Sequence, residues 1–241
     1  MNKPKPSILK IVAYAIQGMA LLLLLQLLPL SGHAQPKKAG NWLMYFGANK
    51  VSDQLSIHSE IQYRDHVLGV RNIEQLLLRV GLNYHFSDKL FVTGGYGRIT
   101  GHVFESEQAQ PETKEDRIWQ QLIFINQFQK VKLEHRFRIE QRWQNNLYSN
   151  RYRYRIMAFL PLNKPKIERG ALFLGIYDEI FLNGKNTFYD RNRLYGALGY
   201  QVNQTTGFQI GLLHQHVEDF GKLYLQFAMV FNPDFRKPSK L

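Results

Sequence analysis

Apolar and polar side chains alternate with a period of two through most of the chain, and residues 131–143 are the clearest case. One face of this segment is charged at six successive positions: Lys132, Glu134, Arg136, Arg138, Glu140 and Arg142. The other face includes Leu133, Phe137 and Ile139. A helix would distribute the charges around its circumference, whereas a strand places all of them on one side. The pattern therefore predicts a β-strand with one charged face and one apolar face.

Similar segments recur along the chain and predict an all-β protein. Eleven of them are strand-like: residues 41–50, 55–64, 75–86, 89–101, 116–128, 131–143, 151–156, 171–182, 191–196, 205–216 and 223–231. A single-chain bacterial membrane barrel usually has an even number of strands. We therefore expect either ten strands, with residues 41–50 outside the wall, or twelve, with one strand unrecognised.

The spacing of the segments favours an antiparallel transmembrane β-barrel of about 10–12 strands over a soluble β-sandwich or barrel. Short turns are expected at residues 51–53, 87–88, 129–130 and 202–204, and longer loops at 65–72, 102–115, 144–150 and 183–190. Outer-membrane barrels alternate short periplasmic turns with long outer loops in this way. Aromatic residues at the strand ends predict two interfacial girdles. The expected girdle residues are Tyr63, Tyr84, Phe86, Phe91, Phe128, Trp143, Tyr152, Tyr200, Phe208 and Phe231.

The N-terminal segment has the features of a cleaved signal peptide. Its positive start is formed by Lys3, Lys5 and Lys10. Residues 11–30 are almost wholly apolar, Pro29 ends the apolar stretch, and small residues precede a cleavage site after Ala34. A retained single-span anchor is the alternative, because about 20 apolar residues can cross a bilayer. We expect export through the signal peptide to the cell outer membrane.

The length of 241 residues suits one domain after a targeting segment, so we expect a signal peptide at 1–34 and a barrel domain at 35–241. Without the three leader lysines the formal charge would fall from +12 to +9. This basic balance does not indicate nucleic-acid binding, because the basic side chains lie on one face of each strand in an exported chain. The absence of cysteine excludes disulfides, thiolate metal sites and a lipid anchor on cysteine.

If the apolar faces meet lipid, the charged faces meet inside the barrel. The expected lumen-facing charges are Glu60, Arg64, Arg79, Lys132, Glu134, Arg136, Arg138, Glu140, Arg142, Arg151, Arg153, Arg155, Glu179, Arg191 and Arg193. Positive charges exceed negative ones in this set. Two interpretations remain open: a narrow channel that prefers small anionic solutes, or a structural or binding barrel whose lumen is plugged by Arg–Glu pairs.

Several motifs, taken in order, resemble a family of uncharacterised Gram-negative outer-membrane proteins that is classed only as a domain of unknown function. They are Asn41-Trp42 with Tyr45, residues 60–64, residues 75–79 with Gly81, residues 94–97, 138–142 and 151–155, Asp178-Glu179 with Asn183, and residues 190–195. The resemblance covers nearly all of the chain after the signal peptide. It implies a β-barrel in the outer membrane and supplies no activity and no catalytic residues.

The chemistry-bearing side chains do not favour an enzyme. A lipid-acting barrel enzyme is the less favoured alternative, for which Ser56, His58 and Ser59 are the candidates near the rim. His214 and His216 share a face, but a polar loop edge explains them better than a metal site. We therefore expect no catalytic residues, no cofactor and no metal. The expected partners are outer-membrane lipid, small anionic solutes, and the barrel-assembly machinery during biogenesis.

Overall fold

The computed structural model of the chain describes residues 39–104, 111–184, 188–217 and 220–236. The expected signal peptide, residues 1–34, lies outside these ranges. No helix in the described ranges is long and apolar enough to cross a membrane. The described chain forms eleven strands: β1 (Gly40–Lys50), β2 (Leu55–Asp65), β3 (Ile73–Ser87), β4 (Leu90–Gly101), β5 (Thr113–Phe128), β6 (Val131–Gln144), β7 (Leu147–Pro161), β8 (Leu172–Asn183), β9 (Tyr189–Gln201), β10 (Thr206–Val217) and β11 (Phe220–Phe231).

The strands form one closed barrel in sequence order. This confirms the expected all-β barrel, and β1 is one of its wall strands. Each strand pairs antiparallel with the next, but β1 pairs with β11 in parallel, from Gly40 opposite Tyr224 to Gly47 opposite Phe231. The eleven strands agree with the expected range of about 10–12 and with the eleven strand-like segments, but the expectations of an even number and of wholly antiparallel pairing were wrong. An odd number of alternating strands gives the first and last strands the same direction, so they can close the barrel only in parallel.

The barrel has two rims, named here by their connections. The turn rim carries residues 51–54, 88–89, 129–130, 162–171 and 202–205, and the loop rim carries, among the described residues, 66–72, 102–104, 111–112, 145–146, 184 and 188. Both β1 and β11 run from the loop rim to the turn rim. The first and last strands of the barrel therefore run in the same direction.

The expectation of a longer loop at residues 144–150 was wrong. Strand β6 continues to Gln144, β7 begins at Leu147, and only Asn145 and Asn146 connect them. Their φ angles are +46° and +67°. Two consecutive residues with positive φ form the type I′ turn that suits the twist of a β-hairpin, and asparagine tolerates this conformation. The asparagine pair therefore makes a tight hairpin where a run of polar residues suggested a loop.

The segment after β11 extends the β1–β11 seam beyond the last strand. Lys50 N donates to Pro233 O over 2.9 Å, and Phe235 N donates to Lys50 O over 2.9 Å. Arg236 pairs with Asp53 in the β1–β2 turn and with Asp234. Residues 232–236, the described part of the C-terminal tail, are therefore held against the end of β1 and the β1–β2 turn.

Charged and apolar side chains lie on opposite faces of the wall. On β6, Arg138 and Glu140 are 2% and 0% exposed, whereas Phe137 and Ile139, which alternate with them, are 50% and 44% exposed. In a soluble barrel the apolar face fills the interior and the polar face meets water. This barrel has the reverse arrangement.

Most of the expected girdle aromatics lie on the outer surface, but Phe91 does not. Its ring lines the interior and lies 4.9 Å from the ring of His85, centroid to centroid. Its neighbour in the alternation is Thr93, which is buried inside the barrel. Phe91 is therefore an interior residue of the turn-rim half, and its assignment to a girdle was wrong.

Glycine in β3 and β4 makes room for a large interior side chain. Gly81 and Gly95 are opposite each other, and the indole of Trp119 from β5 lies against both. A Cβ atom at Gly95 would come within 2.7 Å of the Trp119 ring. Trp119 itself is wholly buried. Close approach of a side chain to the wall explains a glycine inside a strand.

Candidate functional site

The charged residues expected to face the lumen are brought together in the barrel interior. Fourteen of the fifteen line one cavity of about 650 Å³, and the exception, Glu140, is completely buried beside it. The lining extends from Lys130 and Lys166 near the turn rim to Arg142 and Arg191 near the loop rim. Strand alternation alone accounts for this arrangement, because every second residue of each strand points inward.

Glu140 is the centre of an ion-pair network. Its Oε1 accepts hydrogen bonds from Arg153 at 2.8 Å and from Arg79 at 3.3 Å. Its Oε2 accepts a hydrogen bond from Arg117 at 3.1 Å. Arg79 is on β3 and Glu140 is on β6, so this bond crosses the interior between strands that are not neighbours. One fully buried carboxylate thus binds guanidinium groups from three other strands.

Two further carboxylates extend the network across the barrel. Glu179 on β8 accepts hydrogen bonds from Arg136 at 2.6 Å and from Arg153 at 2.8 Å. Glu60 on β2 accepts one from Arg79 at 3.0 Å. Because Arg79 and Arg153 each bind Glu140 as well, the ion pairs are continuous from β2 to β8. Charge-assisted hydrogen bonds of this kind are strong and directional.

The side chains of the network are most deeply buried at mid-height. The side chains of Glu140 and Arg79 are 0% and 3% exposed. Exposure rises to 16% for Glu134, which is nearer the turn rim and pairs with Arg155. It rises to 25% for Arg191, near the loop rim. The side chains of the network are therefore less exposed at mid-height than towards either rim.

Two buried arginines have no carboxylate within ion-pairing distance among the described residues: Arg64 and Arg193. A third, Arg138, is paired only loosely, because its Nη1 lies 3.8 Å from Glu140 Oε1. The guanidinium of Arg138 bonds to the amide oxygen of Gln121 and lies 4.7 Å from the ring centroid of Trp119. Amide oxygens of Gln62 and Gln75 accept from Arg64. The guanidinium of Arg193 packs on aromatic rings. Amides and aromatic faces thus hold positive charge that the interior carboxylates do not neutralise.

Sequence reasoning missed two members of the ion-pair network around Glu140, Glu115 and Arg117 on β5. Arg117 joins Glu140 to Glu115, and Glu115 receives two hydrogen bonds from Arg142, at 2.6 and 2.8 Å. The signal was available, because Glu115, Arg117, Trp119 and Gln121 alternate with Asp116, Ile118, Gln120 and Leu122. Charges on both faces at the start of β5 obscured it: Asp116 pairs with Arg98 on the outer surface.

The opposite part of the interior is apolar. A buried cluster from strands β1 and β7–β11 packs together there: Trp42, Met157, Tyr177, Tyr195, Ala197, Leu213 and Tyr224. Met44 and Phe159 pack against it. The interior thus has a cationic side and an apolar side, which a count of inward charges could not reveal.

The candidate residues for lipid chemistry do not come together. Ser56 and His58 point inward, whereas Ser59 is on the outer face of the same strand. The hydroxyl of Ser56 is 2.8 Å from His85 Nε2 and accepts a hydrogen bond from Asn83, also over 2.8 Å. Ser56 is buried, and these contacts make it part of an interior hydrogen-bond chain.

His214 and His216 lie side by side on the outer face of β10, with ring centroids 6.5 Å apart. The acidic residues that follow them, Glu218 and Asp219, lie outside the described residues. Within the part of the chain that the structure describes, there is no group of three or more His, Asp or Glu side chains placed to hold a metal ion.

Comparisons with known proteins agree with the resemblance in the sequence motifs. An uncharacterized protein of Methylorubrum extorquens is 28% identical over 154 residues, which are 61% of this chain and 65% of that protein. The chain therefore spans less than two thirds of that relative's length. No solved structure matches the chain. The family described as "Protein of unknown function (DUF2490)" matches residues 39–225. Since this match covers most of the chain, the protein belongs to the DUF2490 family, whose function is unknown.

Proposed function

We propose that the protein is an outer-membrane β-barrel with a closed, ion-paired interior, and that it binds rather than conducts. The observation that carries this proposal is the complete burial of Glu140 among Arg79, Arg117 and Arg153 at mid-height. A pore needs a continuous water-filled path, and the ion pairs of this cluster cross the lumen at mid-height, from β3 to β6. The proposed role involves no catalysis.

The outer surface supports insertion in a membrane. Large apolar side chains are exposed on strands all around the wall, including Ile61 at 49%, Ile176 at 51% and Leu212 at 54%. In water, so many exposed apolar side chains would promote association. The reverse orientation would place arginines in lipid, at a cost of about 2–4 kcal/mol each near the midplane. Lipid is therefore the environment that fits both faces.

Export through a cleaved signal peptide, residues 1–34, belongs to the same proposal. The positive start and the apolar stretch carry it. We assign the loop rim to the cell exterior, because the β2–β3 and β4–β5 connections there span seven and eleven residues in the sequence. Four of the five connections on the other rim span four residues or fewer, and residues 162–171 are the exception. Insertion of such a barrel would require the barrel-assembly machinery.

An anion-preferring channel is the second candidate, and one observation favours it. Arg64 and Arg193 are buried without a carboxylate partner among the described residues. In a low-dielectric wall, unneutralised positive charge attracts a passing anion strongly. This interpretation requires the Glu140 cluster to open, whereas the proposed function requires it to remain closed.

Single-channel recording of the purified protein in a planar bilayer tests the proposal. Wild-type protein is expected to give no steady current. Replacement of Arg79, Arg138 and Arg153 together by alanine is expected to give a steady current, because it removes the large side chains that cross the lumen at mid-height. A heat-dependent shift on mild gels serves as the control that each sample is a folded barrel. Steady anion-selective current from the wild type would favour the channel, and recovery of the protein as a soluble periplasmic species would reject the membrane barrel.

A further inference from the structure

The turn-rim half of the interior has two unlike walls, which together we call the turn-rim cavity. Its cationic wall is formed by Lys132, Arg136 and Arg155 on β6 and β7. Its apolar wall is formed by Met44, Phe46, Phe159, Phe173 and Ala228, on β1, β7, β8 and β11. We propose that this cavity binds a single-chain amphipathic anion, an acyl chain that ends in a carboxylate or a phosphate. The proposal rests on the proposed function, in which the Glu140 cluster stays closed and bounds this cavity at mid-height.

The cationic wall carries more positive charge than its carboxylate neighbours neutralise. Its carboxylate neighbours are Glu134, which pairs with Arg155, and Glu179, which Arg136 shares with Arg153. The ammonium of Lys132 has no ion-pair partner among the described residues. It lies 4.7 Å from the ring centroid of Phe159, at the junction of the two walls. A ligand head group held there would leave its chain beside the apolar wall.

Buried donors around the cavity also lack acceptors. Within the described part of the chain, Nε of Arg136, Nε of Arg155 and Nη1 of Arg138 have no hydrogen-bond partner. Arg138 is 98% buried, so bulk water does not supply one freely. Buried polar groups are almost always hydrogen-bonded. Two or three oxygens of one anionic head group could accept from donors so placed.

The apolar wall selects the rest of the ligand. The rings of Phe159 and Phe173 lie 6.1 Å apart, centroid to centroid, and Ala228 is buried beside the partly buried Met44. An inorganic anion would satisfy the arginines and leave this wall wet, whereas an acyl chain would cover it. The interior cavity as a whole, of which the turn-rim cavity is one part, has a volume of about 650 Å³, and cavities in this range enclose one ligand of small-molecule size. The exposed Lys130 and Lys166 line its mouth at the turn rim and would attract an anion.

Fluorescence titration of the folded barrel in amphipol, which removes the competing bilayer, tests the proposal. The probe is 11-(dansylamino)undecanoic acid, and the competitors are palmitate, palmitoyl lysophosphatidate, palmitic acid methyl ester and acetate. We expect saturable probe binding, displacement by both long-chain anions, displacement about tenfold weaker by the ester, which lacks the charge, and none by acetate. The relative strength of the two long-chain anions separates a free fatty acid from a lysophospholipid as the source.

Variants separate the two walls. Lys132→Gln is expected to weaken palmitate binding about tenfold and to leave the methyl ester unaffected. Ala228→Trp is expected to exclude the longer chains first. Arg98→Gln, which removes an equal charge from the outer face, is the matched control and should change nothing. All variants are first checked for the heat-dependent gel shift.

The outcomes distinguish this inference from the proposed function. A closed, folded barrel that does not bind the probe, that binds the ester as tightly as palmitate, or whose binding is unaffected by both cavity variants overturns the ligand inference alone. Steady wild-type current in the bilayer overturns the proposed function, whatever the probe does.

Discussion

Arg79 and Glu140 are hydrogen-bonded across the barrel interior, although β4 and β5 separate their strands: Arg79 Nη2 is 3.3 Å from Glu140 Oε1. The same guanidinium donates through Nη1 to Glu60 on the neighbouring strand. One side chain therefore connects the wall to a carboxylate deep in the lumen. Contacts of this kind stabilise the cross-section of the barrel against flattening.

Removing the carboxylate at the centre should destabilise the barrel strongly. Glu140→Gln leaves three guanidinium groups buried without their shared anion, and loss of one partner from a buried ion pair typically costs about 3–5 kcal/mol. The readout is the midpoint of urea unfolding, followed by the heat-dependent gel shift.

The matched control for Glu140→Gln is Asp116→Asn. It removes a carboxylate that pairs with Arg98 on the outer face, where both side chains are about 40% exposed. Exposed pairs are worth about 0–1 kcal/mol, so this control should shift the midpoint little. Equal shifts for the two variants would argue that the network at mid-height adds nothing special to stability.

Single cysteines should reveal which face of the wall meets lipid. Phe137→Cys and Ile210→Cys lie on the outer surface, while Ala197→Cys and Ala228→Cys lie inside. In reconstituted protein, a lipid-soluble maleimide should label the first pair and leave the second pair unlabelled. The alanine positions are small, so cysteine there disturbs packing little. Labelling of both pairs at one rate would contradict insertion of the wall in a bilayer.

The tight hairpin between β6 and β7 should depend on the residue type at Asn146. Its φ of +67° suits glycine and asparagine, whereas a β-branched residue is strained there. Asn146→Val is expected to cost about 1–2 kcal/mol, and Asn146→Gly should be close to neutral. Urea unfolding of the two variants measures the difference. If valine is tolerated as well as glycine, the two-residue turn is not the conformation in the membrane.

The C-terminal tail should keep its ion pairs down to low pH. The guanidinium of Arg236 lowers the pKa of Asp234 to about 2, from an ordinary value near 3.8. Because the pKa is lowered on folding, the contribution of this carboxylate to the tail contact is present above pH 3.8 and disappears as pH falls towards 2. An NMR titration of the Asp234 carboxyl should give a midpoint near 2, and Arg236→Gln should return it towards 3.8. An unchanged midpoint in that variant would exclude Arg236 as the cause.

Alternation predicted the main features of the fold. It located the strands and their inward charges. A slip of one residue in the register would bring a whole apolar face into the lumen, so the alternation fixes which side chains point inward. It could not predict the parallel closure by β1, since pairing between the two ends of a chain leaves no local signal. The expected loop at residues 144–150 failed for a different reason. A polar run suggested irregular structure, yet two asparagines with positive φ complete a hairpin on their own.

The site was predictable only in part. The facing of Arg79, Glu140 and Arg153 follows from the period of two, but the choice of Glu140 as the shared partner depends on distances between strands that are far apart in sequence. The apolar side of the cavity was not anticipated. The inward face of β7, which carries Phe159, was assigned from its arginines alone, and the facing of β1, which carries Met44, was not assigned. Phe91 shows the same weakness, since aromatic residues suit either face.

The parallel pairing of β1 with β11 also has a kinetic consequence. In every other pair, the two strands follow each other in the sequence with a connection of at most eleven residues. The β1–β11 pair instead joins residues that are almost the whole barrel apart in sequence, such as Gly40 and Tyr224. The entropy cost of so large a loop is modest at equilibrium, yet contacts this distant form slowly. Until they form, both strands are free sheet edges that can pair with another chain. Annealing of this seam is therefore expected to be the last and slowest event in the biogenesis of the protein, and the one most prone to aggregation.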